Sequence, residues 1–145
     1  MNLSFAMLAS SADITNEGNL WIAGADFDML SCQGIPESGT PLLIQASVIA
    51  KFVVSPEELQ NDHHVAISVT KPNGERLDLQ GPYPLTVGPN RLDRSKSSSS
   101  AIVARLFLAL DTLGEYTFHI IADDVEVKTL PLTIVAGQPN ITTNN

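Results

Sequence analysis

Apolar and polar positions alternate along most of the chain, and turn-forming residues interrupt the alternation at short intervals. The strongest run is Leu42 to Val54, where Leu42, Ile44, Ala46, Val48, Ala50, Phe52 and Val54 share one side at period two. Gln45, Ser47 and Lys51 stand on the other side, which predicts a strand with one buried and one half-exposed face. The run is longer than the roughly three to ten residues usual for a strand, so a bulge or bend is expected within it.

The same reading predicts strands elsewhere. Leu3 to Ile14 and Asn19 to Phe27 flank the turn Thr15-Asn16-Glu17-Gly18 and read as a hairpin. His64 to Thr70 and Glu75 to Gln80 flank Lys71-Pro72-Asn73-Gly74, a second hairpin. Gly114 to Ile121 and Val125 to Val135 flank Asp123-Asp124, a third, in which Pro131 places the last strand at an edge or a bulge. Ser55-Pro56-Glu57-Glu58 has capping-box spacing and predicts one short helical turn. Ser31 to Pro41 reads as a loop, and Gly81 to Ser100 as a long connection with a short edge strand around Leu85 to Val87. Ala101 to Leu110 fits helix by propensity and strand by period two; its strand neighbours favour the strand.

Together these runs predict an all-β fold of about seven to nine strands, a sandwich or a barrel. Asp111-Thr112-Leu113-Gly114-Glu115-Tyr116 resembles the tyrosine corner of immunoglobulin-like folds, one residue longer than the usual spacing. The expectation is therefore a single antiparallel β-sandwich of immunoglobulin-like type over residues 1–136, followed by a polar tail, 137–145. Phe118 occupies the position of the core Cys, so no inter-sheet disulfide accompanies the corner.

Two further stretches carry a family resemblance. One is Ala12-Asp13-Ile14 with Gly18-Asn19-Leu20-Trp21-Ile22-Ala23-Gly24-Ala25; the other is Gly114-Glu115-Tyr116-Thr117-Phe118 with Leu130-Pro131-Leu132-Thr133-Ile134-Val135. They resemble a bacterial family of uncharacterised cytoplasmic β-sandwich proteins, a domain of unknown function. The resemblance implies a single sandwich of this length and no particular activity.

Composition narrows the function classes. With 16 acidic and 8 basic residues, the formal charge of −8 argues against a nucleic-acid partner. Residues 1–50 hold five acids and no base. The single Cys excludes an intramolecular disulfide and a multi-cysteine zinc site. No apolar run approaches the roughly 20 residues of a spanning helix. Met1 to Ala12 lacks the positive region of a signal peptide and reads as the first strand, so a cytoplasmic location without membrane contact is expected.

Candidate chemistry is sparse. His63 and His64 are adjacent, so on a strand they point to opposite faces, and a metal site would need one of them to meet His119 beside a carboxylate. Cys32 has no base near it in sequence and reads as an inert thiol. Asp123-Asp124, Asp26 with Asp28, and Glu57-Glu58 are carboxylate pairs with ordinary turn or surface readings. Neither a nucleophile elbow nor a phosphate-cradling loop motif occurs. Trp21 shares its side with Ala23 and Ala25 and is read as packed beside them. Arg91, Arg94 and Lys96 form the one local excess of positive charge, a possible anion or partner contact.

The functional expectation is a non-catalytic binding module that uses an exposed sheet edge or loops and takes a protein partner. The alternative is a structural subunit of a homo-oligomer or larger assembly. No catalytic residue, cofactor or metal is expected.

Overall fold

The computed structural model describes residues 1–32 and 41–137. It is all-β, with nine strands and a single 3-10 turn among the described residues: β1 (Asn2–Ile14), β2 (Leu20–Ala25), β3 (Met29–Cys32), β4 (Leu42–Val54), the turn Pro56–Glu58, β5 (His63–Thr70), β6 (Arg76–Leu85), β7 (Ser98–Leu110), β8 (Gly114–Ala122) and β9 (Val125–Ala136). They form a four-stranded sheet of order β2-β1-β4-β7 and a five-stranded sheet of order β3-β9-β8-β5-β6. Residues 33–40, most of the predicted loop, and the tail beyond Gly137 lie outside the described residues.

The predicted alternation places the core. Val48, Ala50 and Phe52 of β4 and Ala104, Leu106, Leu108 and Leu110 of β7 meet Val65, Ile67 and Val69 of β5, Tyr116, Phe118 and Ile120 of β8, and Leu132 and Ile134 of β9 in one buried cluster. Each large side chain in such a core contributes roughly 1.5–3 kcal/mol by leaving water. Ala101 to Leu110 is strand, as its neighbours implied, and lies within β7.

All three predicted hairpins are present, with their turns where the turn residues stand. Gly18 N–H donates to the Thr15 carbonyl at 2.8 Å and Gly74 N–H to the Lys71 carbonyl at 2.9 Å. Asp123 and Asp124 both adopt left-handed backbone, φ 49° and 64°, which Asp tolerates better than most residues. At the predicted capping box, the Ser55 amide and hydroxyl both donate to Glu58 Oε2, at 3.2 and 3.1 Å.

Several expectations are corrected. The sheets are not wholly antiparallel, because β3 pairs in parallel with β9, Met29 opposite Thr133 through Cys32 opposite Ala136. Ser31 and Cys32 belong to that strand rather than to a loop. β4 carries no bulge against β7; its register runs unbroken from Leu42 opposite Leu110 to Val54 opposite Ser98. The irregularity falls instead in β1, between Leu3 and Phe5. Gly81 to Leu85 and Ser98 to Ser100 are strand, so the long connection shrinks to residues 86–97, and no separate strand covers Leu85 to Val87. In the strand order β9 lies between β3 and β8, but β3 covers only Thr133 to Ala136, so at Pro131 β9 is locally an edge, as expected. Pro131 is tolerated because pairing to β3 begins only at Thr133, leaving no ladder partner that needs its missing N–H.

The outer face of β4 is also more buried than its polar residues suggested. Ile49 is fully buried in a second, small cluster with Ala9 and Ala12, onto which Met7, Leu20, Ile22 and Val103 pack. The cause lies in β1. Its pairing to β4 ends at Ala9 opposite Ser47. The core-facing side chain passes from Leu8 to the other side, and Ala12, Ile22 and Leu20 then cover Ile49 and Val103. Asp13 reaches Arg105 of β7 at 3.3 Å, although β4 separates their strands in the sheet. The tip of the first hairpin is thus a cover over the outer face of β4 and β7. The same fold-over exposes Trp21 at 55% rather than packing it, since Ile22 and Leu20 face the cover's interior.

Candidate functional site

The sheets expose four edge strands, β2, β7, β3 and β6. Three of them are blunted. β2 is short and holds Gly24 at φ +61°. β3 spans four residues. β6 carries Pro82 and Pro84, which have no N–H to offer, and its register against β5 shifts between Val65 and Ile67. At that shift Gly81 takes φ +95°, and a Cβ there would come within 2.7 Å of the Val65 carbonyl oxygen.

β7 is different. It spans thirteen residues without proline or register shift, and Arg105 is its only charged residue. Gln80 Nε2 of β6 donates to the Arg105 carbonyl at 2.7 Å. Since the N–H and C=O of one residue leave a strand on the same side, the odd-numbered positions from Ser99 to Ala109 present their backbone groups to the free edge. The side chains at those positions lie on the outer face. There Phe107, opposite Gln45 of β4, is 73% exposed, and Leu43, opposite Ala109, is 69% exposed. An unpaired backbone edge therefore runs beside an exposed apolar pair. Among the described residues only Gln80, itself held by a 2.7 Å bond from Tyr83 Oη to its Oε1, caps one acceptor of that edge.

The histidines do not converge. His63 Nδ1 meets Asp123 Oδ2 at 2.7 Å and its Nε2 meets the Glu58 carbonyl at 3.0 Å, joining the 3-10 turn to the β8–β9 turn. His64 donates its backbone N–H to Asp123 Oδ1 at 3.0 Å, and its ring approaches Asp124 at 3.1 Å. Neighbouring histidines on opposite faces thus share one carboxylate, because a turn residue reaches past the strand end to both. The bond to Asp124 raises the His64 pKa against its partial desolvation, with the Asp124 and Asp123 charges adding to the rise. Burial pushes the Asp123 carboxyl up, but hydrogen bonds from His63 and from the His64 amide, with both imidazole charges, bring it below its ordinary value.

His119 lies elsewhere, opposite Ser68 on the outer face of the five-stranded sheet. Its Nε2 is 2.8 Å from Thr70 Oγ1, and its Nδ1 pairs with Glu126. The order hydroxyl, imidazole, carboxylate is that of an activated nucleophile. Neither of the two cavities at Lys51 described below includes these residues, and the Arg76 guanidinium, on the residue opposite Thr70, is engaged by Ser68 Oγ at 3.0 Å. The chain of bonds ties β5, β8 and β9 across the sheet surface. Among the described residues no group of three or more His, Cys, Asp or Glu is arranged to hold a metal ion. Cys32 is buried in the main core.

Arg91, Arg94 and Lys96 are all exposed on the connection between β6 and β7. That connection is internally bonded. Asn90 Oδ1 accepts from the Leu92 and Asp93 amides at 3.0 and 3.2 Å, Asn90 Nδ2 donates to the Ser97 carbonyl at 3.0 Å, and Asp93 accepts from Ser95. Of the three cations, Arg91 alone lines the cavity of about 600 Å³ beside this connection, and the second cation in that cavity is Lys51 of β4. Sequence reasoning passed over Lys51 because it stands alone between Ala50 and Phe52 in an apolar run. The β7 edge was missed as well; its signal was the long run lacking any proline.

Two β-sheets sharing a core, with polar groups at their edges and turns and on their outer faces, define an all-β domain. The chain belongs to DUF6941, a family of unknown function, whose family model matches residues 4–135. No curated protein matches it. Among solved structures it is similar, at 9% identity and a TM-score of 0.44, to the alkylpurine DNA glycosylase AlkC of Pseudomonas fluorescens bound to DNA containing an abasic site analog. That similarity covers 93% of this chain but 30% of the glycosylase, and it carries no weight for fold or function. No helix among the described residues is long and apolar enough to cross a membrane.

Proposed function

We propose that this protein is a non-catalytic binding module, built on an immunoglobulin-like β-sandwich, that accepts an extended segment of a partner protein along the β7 edge. The observation that carries the reading is the contrast among the four edges: three are short, glycine-bent or proline-bearing, and the longest is open and flanked by exposed Phe107 and Leu43. An added strand would gain main-chain hydrogen bonds from the odd-numbered residues and side-chain contact with that apolar pair. The bond from Tyr116 Oη to the Thr112 carbonyl at 2.9 Å and the parallel β3–β9 pair support the immunoglobulin-like assignment. A cytoplasmic setting is part of this reading, consistent with a lone, buried, unpaired Cys32.

A partner of different sequence is favoured over a second copy. Two copies each carrying −8 repel, and a fully overlapped antiparallel β7 pair would place the two Arg105 side chains diagonally on one face. The test is selection of extended peptides from a displayed library, followed by hydrogen exchange of the complex. Protection of the Val103, Phe107 and Ala109 amides, lost in Phe107→Lys and in Ala109→Pro, supports the reading. A dimer by light scattering that either substitution dissolves establishes the alternative, a homo-oligomeric subunit. Peptide protection elsewhere, with β7 unchanged, overturns both.

A further inference from the structure

We propose that the cavity between the β6–β7 connection and the outer face of β4 is a binding site for the phosphate group of a small phosphorylated molecule. Its floor is Lys51, Val53 and Ser99, and its wall is the connection at Asn90 and Arg91; Ser4, at the bulge of β1, closes one end. A second cavity, about 370 Å³, shares Lys51 and Ser99 with the first and is bordered by the hairpin cover at Ile14 and Leu20. Lys51 therefore stands between two walls built from distant parts of the chain.

Three observations point to an anion. First, no carboxylate lines either cavity, in a chain with 16 acidic residues and a net charge of −8. Second, Lys51 and Arg91 form no salt bridge among the described residues, a state they share with Arg76, Arg94, Lys96 and Lys128, so neither has to give up a carboxylate to meet a ligand. Third, the wall is preorganised. The Asn90 side chain spends its bonds on Ser97, Leu92 and Asp93, so the backbone that carries Arg91 is held before any ligand arrives. An ammonium and a guanidinium, which only donate, with the hydroxyls of Ser4 and Ser99, which can also donate, make a donor-rich set that suits a phosphate. The site is an open surface cleft of about 600 Å³, more than a lone phosphate would fill. Arg94 and Lys96 do not line this cavity, which divides the sequence cluster into one ligand and two bystanders.

The test is an amide NMR titration of the full chain with inorganic phosphate and, separately, with phenyl phosphate. Saturable shifts at Asn90, Arg91, Ser97 and Ser99 are expected with both probes, and tighter binding of phenyl phosphate would identify an ester as the occupant. Equal affinity for the two would identify the free anion instead and overturn the assignment to a phosphorylated molecule. Lys51→Gln and Arg91→Gln should each weaken binding by about tenfold, the worth of one charge-assisted hydrogen bond, while Arg94→Gln leaves it unchanged. The spectrum of each variant without phosphate reports whether it has folded. Shifts that never saturate, or an equal loss in Arg94→Gln and Arg91→Gln, would overturn the site in favour of diffuse charge attraction. The β7-edge amides serve as a separate readout, so failure here leaves the strand-addition reading standing.

Discussion

Gln80 and Arg105 tie the free edges of the two sheets together. The Gln80 side-chain amide donates to the Arg105 carbonyl at 2.7 Å, and Tyr83 holds that amide from behind with a bond of the same length. A side chain thus occupies the acceptor that an added strand would use. Gln80→Ala should raise the affinity of a selected edge-binding peptide several-fold while lowering stability by about 0.5–1.5 kcal/mol, the net worth of one hydrogen bond. Paired peptide titration and urea unfolding read both effects. Unchanged affinity would mean that Gln80 does not compete for the edge.

Tyr116 is fully buried, and its hydroxyl donates to the Thr112 carbonyl at 2.9 Å, closing the turn between β7 and β8. Tyr116→Phe keeps the ring and strands that carbonyl, so stability should fall by about 1 kcal/mol. Denaturant unfolding with an unchanged m-value is the measurement, and a loss too small to measure would show that the corner bond contributes nothing.

Local pattern made the core legible, because period-two alternation decides which side chains face inward once a strand forms. Val48, Phe52, Leu106, Phe118 and Leu132 could all be placed that way, and so could the three turns and the Tyr116 bond. What eluded the pattern depends on distant chain. Burial of Ile49 and exposure of Trp21 follow from β1 leaving the sheet after Ala9, for which its residues give no local sign. The parallel β3–β9 pair joins segments about a hundred residues apart. Among the site residues, Arg91 was visible as part of a charge cluster. Lys51 joins it only when β4 and the β6–β7 connection are brought together.

Charge at the strand end of β5 makes stability depend on pH in two directions. The His64 pKa is raised from an ordinary 6.5, so its contribution is full below that value and disappears as pH rises through the folded pKa. The Asp123 pKa is lowered from 3.8, so its contribution is full above that value and disappears as pH falls through the folded pKa. Stability carried by this cluster is therefore greatest between about pH 4 and 6 and declines towards pH 8. Asp124→Asn should flatten the decline on the alkaline side while leaving the acid side in place, because Asp124 is the main cause of the His64 shift. Unfolding midpoints from about pH 2 to about pH 8, with the His64 titration followed by NMR, would check both sides, and an unaltered alkaline slope in the variant would refute it.

The hairpin cover makes a prediction that separates it from an ordinary edge hairpin. Ile49 is fully buried on the outer face of β4, beneath Ala12, Leu20 and Ile22 rather than within the main core. Ile49→Ala should cost about 2–5 kcal/mol, the range for truncating a buried Ile. Were the cover merely adjacent, the cost would be that of a half-exposed position and would fall well below this range. The location of the damage is equally diagnostic. Hydrogen exchange in Ile49→Ala should accelerate first at Ala12, Leu20 and Ile22, while amides of β5 and β8, whose side chains fill the other cluster, keep their protection. Because the cover also walls the smaller of the two cavities at Lys51, phosphate binding should weaken in the same variant. Uniform acceleration across both sheets would show that Ile49 supports the whole fold and that the hairpin does not open as a separate unit.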